Sequence, residues 1–265
     1  MTTMPALFVG HGSPMYAIQP NEYNEAWASV AKKIPRPSAI LMISAHWYTR
    51  GTWLTAMQEP KTIHDFGGFP QALFDIQYPA PGSPALAQHV KGIISSQFEN
   101  ITLEESEWGL DHGAWSILKY MFPKADIPVI QMSIDATLTG DQHVALGRKL
   151  QILREENILI ISSGNVVHNL QLIAWKSHVP TPSWALNFND FFKTHLINND
   201  LAPLIHWQSA GSDAQLAIPT PEHYLPALYT IGLKKESESA QVITDGIEMS
   251  SISMLSFGYG LPSTL

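Results

Sequence analysis

The run Ala39-Ile40-Leu41-Met42-Ile43-Ser44-Ala45-His46-Trp47 decides the fold. It is apolar without interruption, too short for a core helix, and ends abruptly in small residues and a histidine. Such a run reads as a strand over Ala39–Ala45 buried on both faces, the arrangement of a parallel sheet covered by helices. The device recurs twice. Ala6–Val9 runs into Gly10-His11-Gly12-Ser13-Pro14, and Ile158–Ile161 runs into Ser162-Ser163-Gly164-Asn165 with His168 just beyond. Open α/β sheets bind ligands at the carboxyl ends of their strands. Three strands ending in small residues and histidine therefore point to one place, and a metal site is expected there.

The 265 residues suit one large α/β domain spanning 1–265, with a full hydrophobic core. A formal charge of −8 argues against nucleic-acid or anionic-membrane surfaces, both of which need basic patches. The chain has no cysteine, which excludes disulfides, thiolate metal sites and a cysteine nucleophile. Imidazole and carboxylate are the strong ligands that remain. No basic-then-apolar leader is visible and no apolar run approaches the roughly 20 residues of a membrane helix, so a cytoplasmic protein is expected.

Alternation of strand and helix runs through the chain, which gives the class: a central, mostly parallel sheet flanked by helices. Tyr23, Trp27, Val30, Ala31 and Ile34 recur at helical spacing, and Ser83-Pro84 supplies a cap and first-turn proline for a helix carrying Leu86, Val90, Ile93 and Ile94. Asp111 is placed to cap a helix opening at His112. Ile127–Ile134 is a strand and Asp141–Glu155 a helix. Gly51–Met57 and Ile101–Leu103 read as short strands, and Val242–Ile247 and Ile252–Phe257 as two more with a turn at Asp245-Gly246. Thr220-Pro221-Glu222 reads as a helix start that puts His223 in the first turn. Between Pro60 and Pro84 the chain is dense in proline, glycine and aromatics without a period, and a segment of this kind is more often functional than idle.

Of the eleven histidines, His89, His143, His178, His195 and His206 sit in ordinary polar or surface-like contexts and carry no chemistry in this reading. His11 and His46 each terminate a buried strand at the same sheet edge, which makes them candidate metal ligands. His168 follows a third such strand, and His223 depends on the fold to bring it in. In Trp108-Gly109-Leu110-Asp111-His112-Gly113-Ala114-Trp115, an imidazole stands at a helix start beside two indoles, a placement suited to acid–base work. His64-Asp65 is a weaker candidate that a structural turn explains almost as well. Arg50 is near enough to His46 to pair with a substrate carboxylate, although a surface role fits it better.

Other chemistries fail on their motifs. Gly10-His11-Gly12-Ser13 lacks the third glycine of a dinucleotide fingerprint, and no G-x-S-x-G elbow, P-loop or H-E-x-x-H occurs. What remains is a mononuclear, histidine-rich site lined by aromatics such as Trp47, Phe69, Trp115 and Tyr224. Such a site suits iron(II), zinc or manganese and a planar aromatic substrate. Spacing leaves an oxygenase and a zinc hydrolase both open.

The ordered set GHGSP, SAHW, TIHDFGGFP with QYPAPGSP, WGLDHGAW, SSGNVVHNL and PTPEHYLP resembles the bacterial 4,5-DOPA extradiol dioxygenase-like proteins. These are class III extradiol ring-cleaving dioxygenases related to the catalytic subunit of protocatechuate 4,5-dioxygenase. The resemblance runs from Met4 to Gly246-Ile247-Glu248-Met249. It implies iron(II) for activity, with zinc(II) as isolated in some members, and a small catechol such as L-DOPA plus O2 as substrates. It places His11, His46, His168 and His223 among the metal-site residues and makes His112 and His168 the catalytic acid–base pair. The implied reaction holds a catechol by both oxygens, removes a proton, and inserts oxygen beside a hydroxyl to give a muconate semialdehyde through a lactone. Two other readings stand beside it. One is a zinc-dependent hydrolase on the same scaffold. The other is a non-catalytic relative, which has no physical need to keep these histidines.

Overall fold

In the computed structural model, which describes residues 3–175 and 179–263, the strand of Ala39 is central. The strands are β1 (Ala6–Gly10), β2 (Ala39–Thr49), β3 (Thr52–Thr55), β4 (Ile101–Glu104), β5 (Val129–Asp135), β6 (Ile158–Gly164), β7 (Gln241–Thr244), β8 (Ile247–Glu248), β9 (Ile252–Ser253) and β10 (Ser256–Tyr259). Eight of them form one sheet in the order β4-β3-β5-β2-β6-β1-β10-β7, and β8 pairs with β9. The middle four strands, β5-β2-β6-β1, are mutually parallel, while β3 on one side and β10 and β7 on the other pair antiparallel.

Alternation of side chains explains why these central runs lack polar residues. In β2, Leu41 and Ile43 enter one hydrophobic cluster while Ile40 and Met42 enter the other, and β1 and β6 do the same with Phe8 against Leu7 and Ile160 against Leu159. Each strand is buried on both faces, so an exposed, polar half would have nowhere to go. One face is covered by the helices Glu22–Lys33 and His112–Met121, through Trp27, Val30, Trp115 and Leu118. The other face is covered by Pro84–Ile94, Gly140–Leu150, Ser183–Ile197 and Leu225–Gly232, through Val90, Leu146, Phe188 and Leu228. The expected caps form: Ser83 accepts from the Leu86 N–H and Asp111 from the Ala114 N–H. No helix among the described residues is long and apolar enough to cross a membrane.

Four local expectations need correction. First, β2 does not stop at Ala45. It continues to Thr49, and its register against β5 slips between Ile43 and Tyr48. This irregularity lets His46 leave the ladder where the site lies. Second, the helix after β5 ends at Leu150, and Gln151–Arg154 tighten into a 3-10 turn. Third, the helix after Pro221 starts at Leu225; the Thr220 hydroxyl donates to Glu222 Oε1, and His223 sits in the preceding turn. Fourth, Asp245-Gly246 is not the hairpin tip. The tip is the three-residue connection Met249-Ser250-Ser251, in which Met249 and Ser250, both at positive φ (47° and 65°), are the central residues of a turn closed by the Ser251 N–H on the Glu248 carbonyl.

Candidate metal centre

At the carboxyl ends of the parallel strands, His11 follows β1 directly, His46 lies in the irregular stretch of β2, and His223 comes in from the turn before Leu225–Gly232. One donor nitrogen from each can be chosen so that all lie within 4.8 Å of one another. The Nε2 atoms of His11 and His46 are 3.2 Å apart. Two nitrogens bound side by side to one ion at about 2.1 Å are separated by roughly 3.0–3.4 Å, so this spacing fits a shared cation. The second nitrogen of each ring is engaged elsewhere. His11 Nδ1 is 2.9 Å from Ser163 Oγ, His46 Nδ1 is 3.2 Å from Asp65 Oδ2, and His223 Nδ1 is 3.2 Å from Glu222 Oε1. Metal-binding histidines are oriented this way, by a partner on the nitrogen that does not meet the ion. The donor set therefore fits a metal.

Close approach of backbone to these rings is made possible by two glycines. A Cβ on Gly164 would run into the carbonyl of His223, whose oxygen instead accepts the Asn165 N–H at 2.8 Å. A Cβ on Gly113 would collide with Ser44 Oγ and come within 3.0 Å of His46 Cδ2. Glycine thus lets two helix-side turns close down on the sheet edge.

His112 and His168 stand beside this group without joining it. The His112 ring lies 3.9 Å from that of His46, centroid to centroid, and its Nδ1 is 3.0 Å from Asp65 Oδ2. His168 stacks on His223 at 3.5 Å with the planes 6° apart, and its backbone is fixed by a bridge to Ile252 and a 2.8 Å bond to the Ala217 carbonyl. Burial drives the pKa of His11, His46 and His223 well down, and neighbouring imidazoles push the same way. Burial, then the charge of His112, brings His168 down to about 4. All four imidazoles are thereby kept neutral, the form that offers a lone pair. For Asp65, burial raises the pKa, but hydrogen bonds from His112 and the charges of His112 and His46 outweigh it and hold it at about 2. Asp111 is pushed up to about 7 by burial and by the charge of Asp65, while it accepts from Ser44 and Gln131.

The five histidines and Asp65 floor a cavity of about 350 Å³. Its walls are Phe66, Phe69, Leu170, Ile173, Trp175, Met249 and Ile252. Of the four aromatics expected there, Phe69 is present and three are not. Trp47 stacks on Trp108, Trp115 is buried behind Phe66 with its indole N–H on the Ile63 carbonyl, and Tyr224 is buried with its hydroxyl on the Leu204 carbonyl. Arg50 is exposed and does not line the cavity. Among the five histidines set aside, His89, His195 and His206 meet acidic partners nearer the surface. His143 departs from its surface-like expectation: it is wholly buried with Nδ1 2.9 Å from the Tyr229 hydroxyl. His178 lies outside the described residues.

Asp65 carries more than its sequence suggested. Its signal was an acidic residue beside a histidine in an aperiodic, aromatic-rich segment, the same signal a simple turn would produce. Ser163 and Glu222 were visible only as neighbours of candidate residues. The wall residues Ile173, Trp175 and Met249 had no signal, because each comes from a loop or hairpin tip that tertiary structure alone carries to the cavity.

A family model described as the catalytic LigB subunit of aromatic ring-opening dioxygenase matches residues 5–261. A 4,5-DOPA dioxygenase extradiol from Escherichia coli (strain K12) is 47% identical over 262 residues, 98% of this chain and 96% of the relative. The protein of the same name from Beta vulgaris is 37% identical and aligns over 89% of both chains. Among solved structures, an uncharacterized protein from Escherichia coli K12 matches with a TM-score of 0.84 and 42% identity, covering 96% of this chain and 99% of its own.

Proposed function

Because the chain belongs to the family of catalytic LigB subunits of aromatic ring-opening dioxygenases, we propose that it opens a catechol ring with O2 in the extradiol manner to give a muconate semialdehyde. His11, His46 and His223 would hold a single metal ion, iron(II) for activity, with zinc(II) able to take its place. When bound, iron(II) supplies the charge that draws both catechol oxygens and the electronic path between the ring and O2. The observation that carries this reading is the three-imidazole group, each ring facing a different side chain at Nδ1, at the floor of an aromatic-walled cavity.

The remaining chemistry belongs to the chain itself. Phe66 and Phe69 offer faces and edges to a planar ring, and Ile173, Trp175 and Met249 add apolar surface beside it. His168, beside His223, takes the proton of one catechol hydroxyl. His112, beside His46, moves a proton at the substrate oxygen nearer to it. Acid–base groups placed in this way contribute about 10²–10⁴-fold to rate.

The test is an absorbance scan of anaerobically iron(II)-loaded protein given L-DOPA, or another member of a catechol panel, and then air. A growing visible-yellow semialdehyde band, absent in His46→Ala, is expected. A flat trace across the whole panel with iron demonstrably bound would overturn the reading in favour of a zinc hydrolase on this scaffold.

A further inference from the structure

We propose that Asp65 is a positioning residue that holds two imidazoles of different duty in the same tautomer. Its carboxylate accepts the Nδ1–H of His112 and sits in charge contact with Nδ1 of His46, leaving one Nε2 for the metal and the other for the substrate. The proposal deepens the functional reading above and rests on it for the duties of the two histidines.

The geometry is specific. Asp65 Oδ2 lies 3.2 Å from His46 Nδ1 and 3.0 Å from His112 Nδ1, while Oδ1 accepts the backbone N–H of His112 at 2.9 Å. An ionised carboxylate only accepts, so each ring nitrogen facing it must carry the proton. In a neutral ring the lone pair is then left on Nε2. For His46 that is the atom 3.2 Å from His11 Nε2, where a shared cation fits. For His112 it is the nitrogen not bound to the carboxylate, on a residue that lines the cavity. Ser163 and Glu222 each hold one ring of the metal group. Asp65 joins a ring of that group to one outside it, and its grip on the His112 backbone ties both to the start of the helix His112–Met121.

The same three residues could be read as a second cation site, since their donor atoms also lie within 4.8 Å of one another. A hydrogen bond accounts for the 3.0 Å contact of His112, and the attraction of the carboxylate for the N–H dipole accounts for the 3.2 Å approach of His46, without a second ion.

The test uses zinc(II)-loaded protein labelled with 15N-histidine, together with chelator competition for zinc. Both His46 and His112 are expected as Nδ1–H tautomers with one zinc per chain. Asp65→Asn has one acceptor oxygen for three donors, and a lost partner of this kind weakens metal binding by about 10–100-fold. The same loss is expected in a His112→Phe background, because it acts through His46. An Nε2–H signal from either ring in the unmodified protein would overturn the proposal, and that measurement does not depend on the variant folding. So would an unchanged zinc affinity in Asp65→Asn, disappearance of the effect in His112→Phe, or a second zinc equivalent that Asp65→Asn removes. None of these readouts involves ring cleavage, so absence of dioxygenase activity would be seen separately.

Discussion

Replacing Gly113 by alanine tests the close packing of the helix start against the metal group. Helix propensity alone favours the substitution, by up to about 1 kcal/mol in a helix interior and less near an end. Gly92, in the exposed part of Pro84–Ile94, shows that favourable case, since a Cβ there meets nothing within 4 Å. At Gly113 the Cβ would collide with Ser44 Oγ and approach His46 Cδ2 to 3.0 Å and Ser163 Oγ to 3.2 Å. Overpacking of this kind costs about 1–3 kcal/mol. Displacing Ser44 also weakens its 2.7 Å bond to the buried Asp111 carboxylate, and a buried acceptor left short of a partner costs about 1–3 kcal/mol. Gly113→Ala is therefore expected to lose about 2–5 kcal/mol in urea unfolding of the metal-free protein, against a gain of about 0.5–1 kcal/mol for Gly92→Ala. Because Ser163 and His46 both move, zinc affinity should fall at least about tenfold by chelator competition. A Gly113→Ala protein as stable as Gly92→Ala, with undiminished zinc affinity, would refute the packing argument.

Three further outcomes are expected. His112→Phe should retain one metal per chain yet lose about 10²-fold or more in turnover; loss of the metal in that variant would show that His112 is a ligand. Burial holds His143 at a pKa of about 4, against the opposing charge of Asp135, so the unfolded chain takes up the proton first as pH falls. The stability this residue carries is complete above about pH 6.5 and drains at about 1.4 kcal/mol per unit toward pH 4. Urea titrations of His143→Leu should show a shallower acid-side slope than the unmodified protein, and an identical slope would contradict this. Arg154 is fully buried, with its guanidinium on the Glu238 carboxylate and the carbonyls of Met4 and Leu233. Glu238→Ala should cost about 3–5 kcal/mol of unfolding free energy by stranding that charge; a loss under about 1 kcal/mol would mean water replaces the carboxylate.

Sequence alone determined the parallel α/β class, the helix caps at Ser83 and Asp111, and the convergence of His11, His46 and His168 at one sheet edge. These are legible because burial on both faces of a strand removes its polar alternation, and because caps and strand ends are local in the chain. The family was legible too, through motifs kept in order along the chain. Tertiary structure alone decided which imidazoles meet. His223 arrives from a turn far along the chain and Asp65 from a segment without a period, so neither carries a local pattern that says where its side chain goes. It also separated His168, stacked on His223, from the three rings that face one another. Aromatic residues were the least legible of all. Trp47, Trp115 and Tyr224 have the composition of pocket walls, yet large rings fill a core as readily as they line a cavity. Which of the two each does is set by the sheet twist and the loop paths, and these are properties of the whole packed chain.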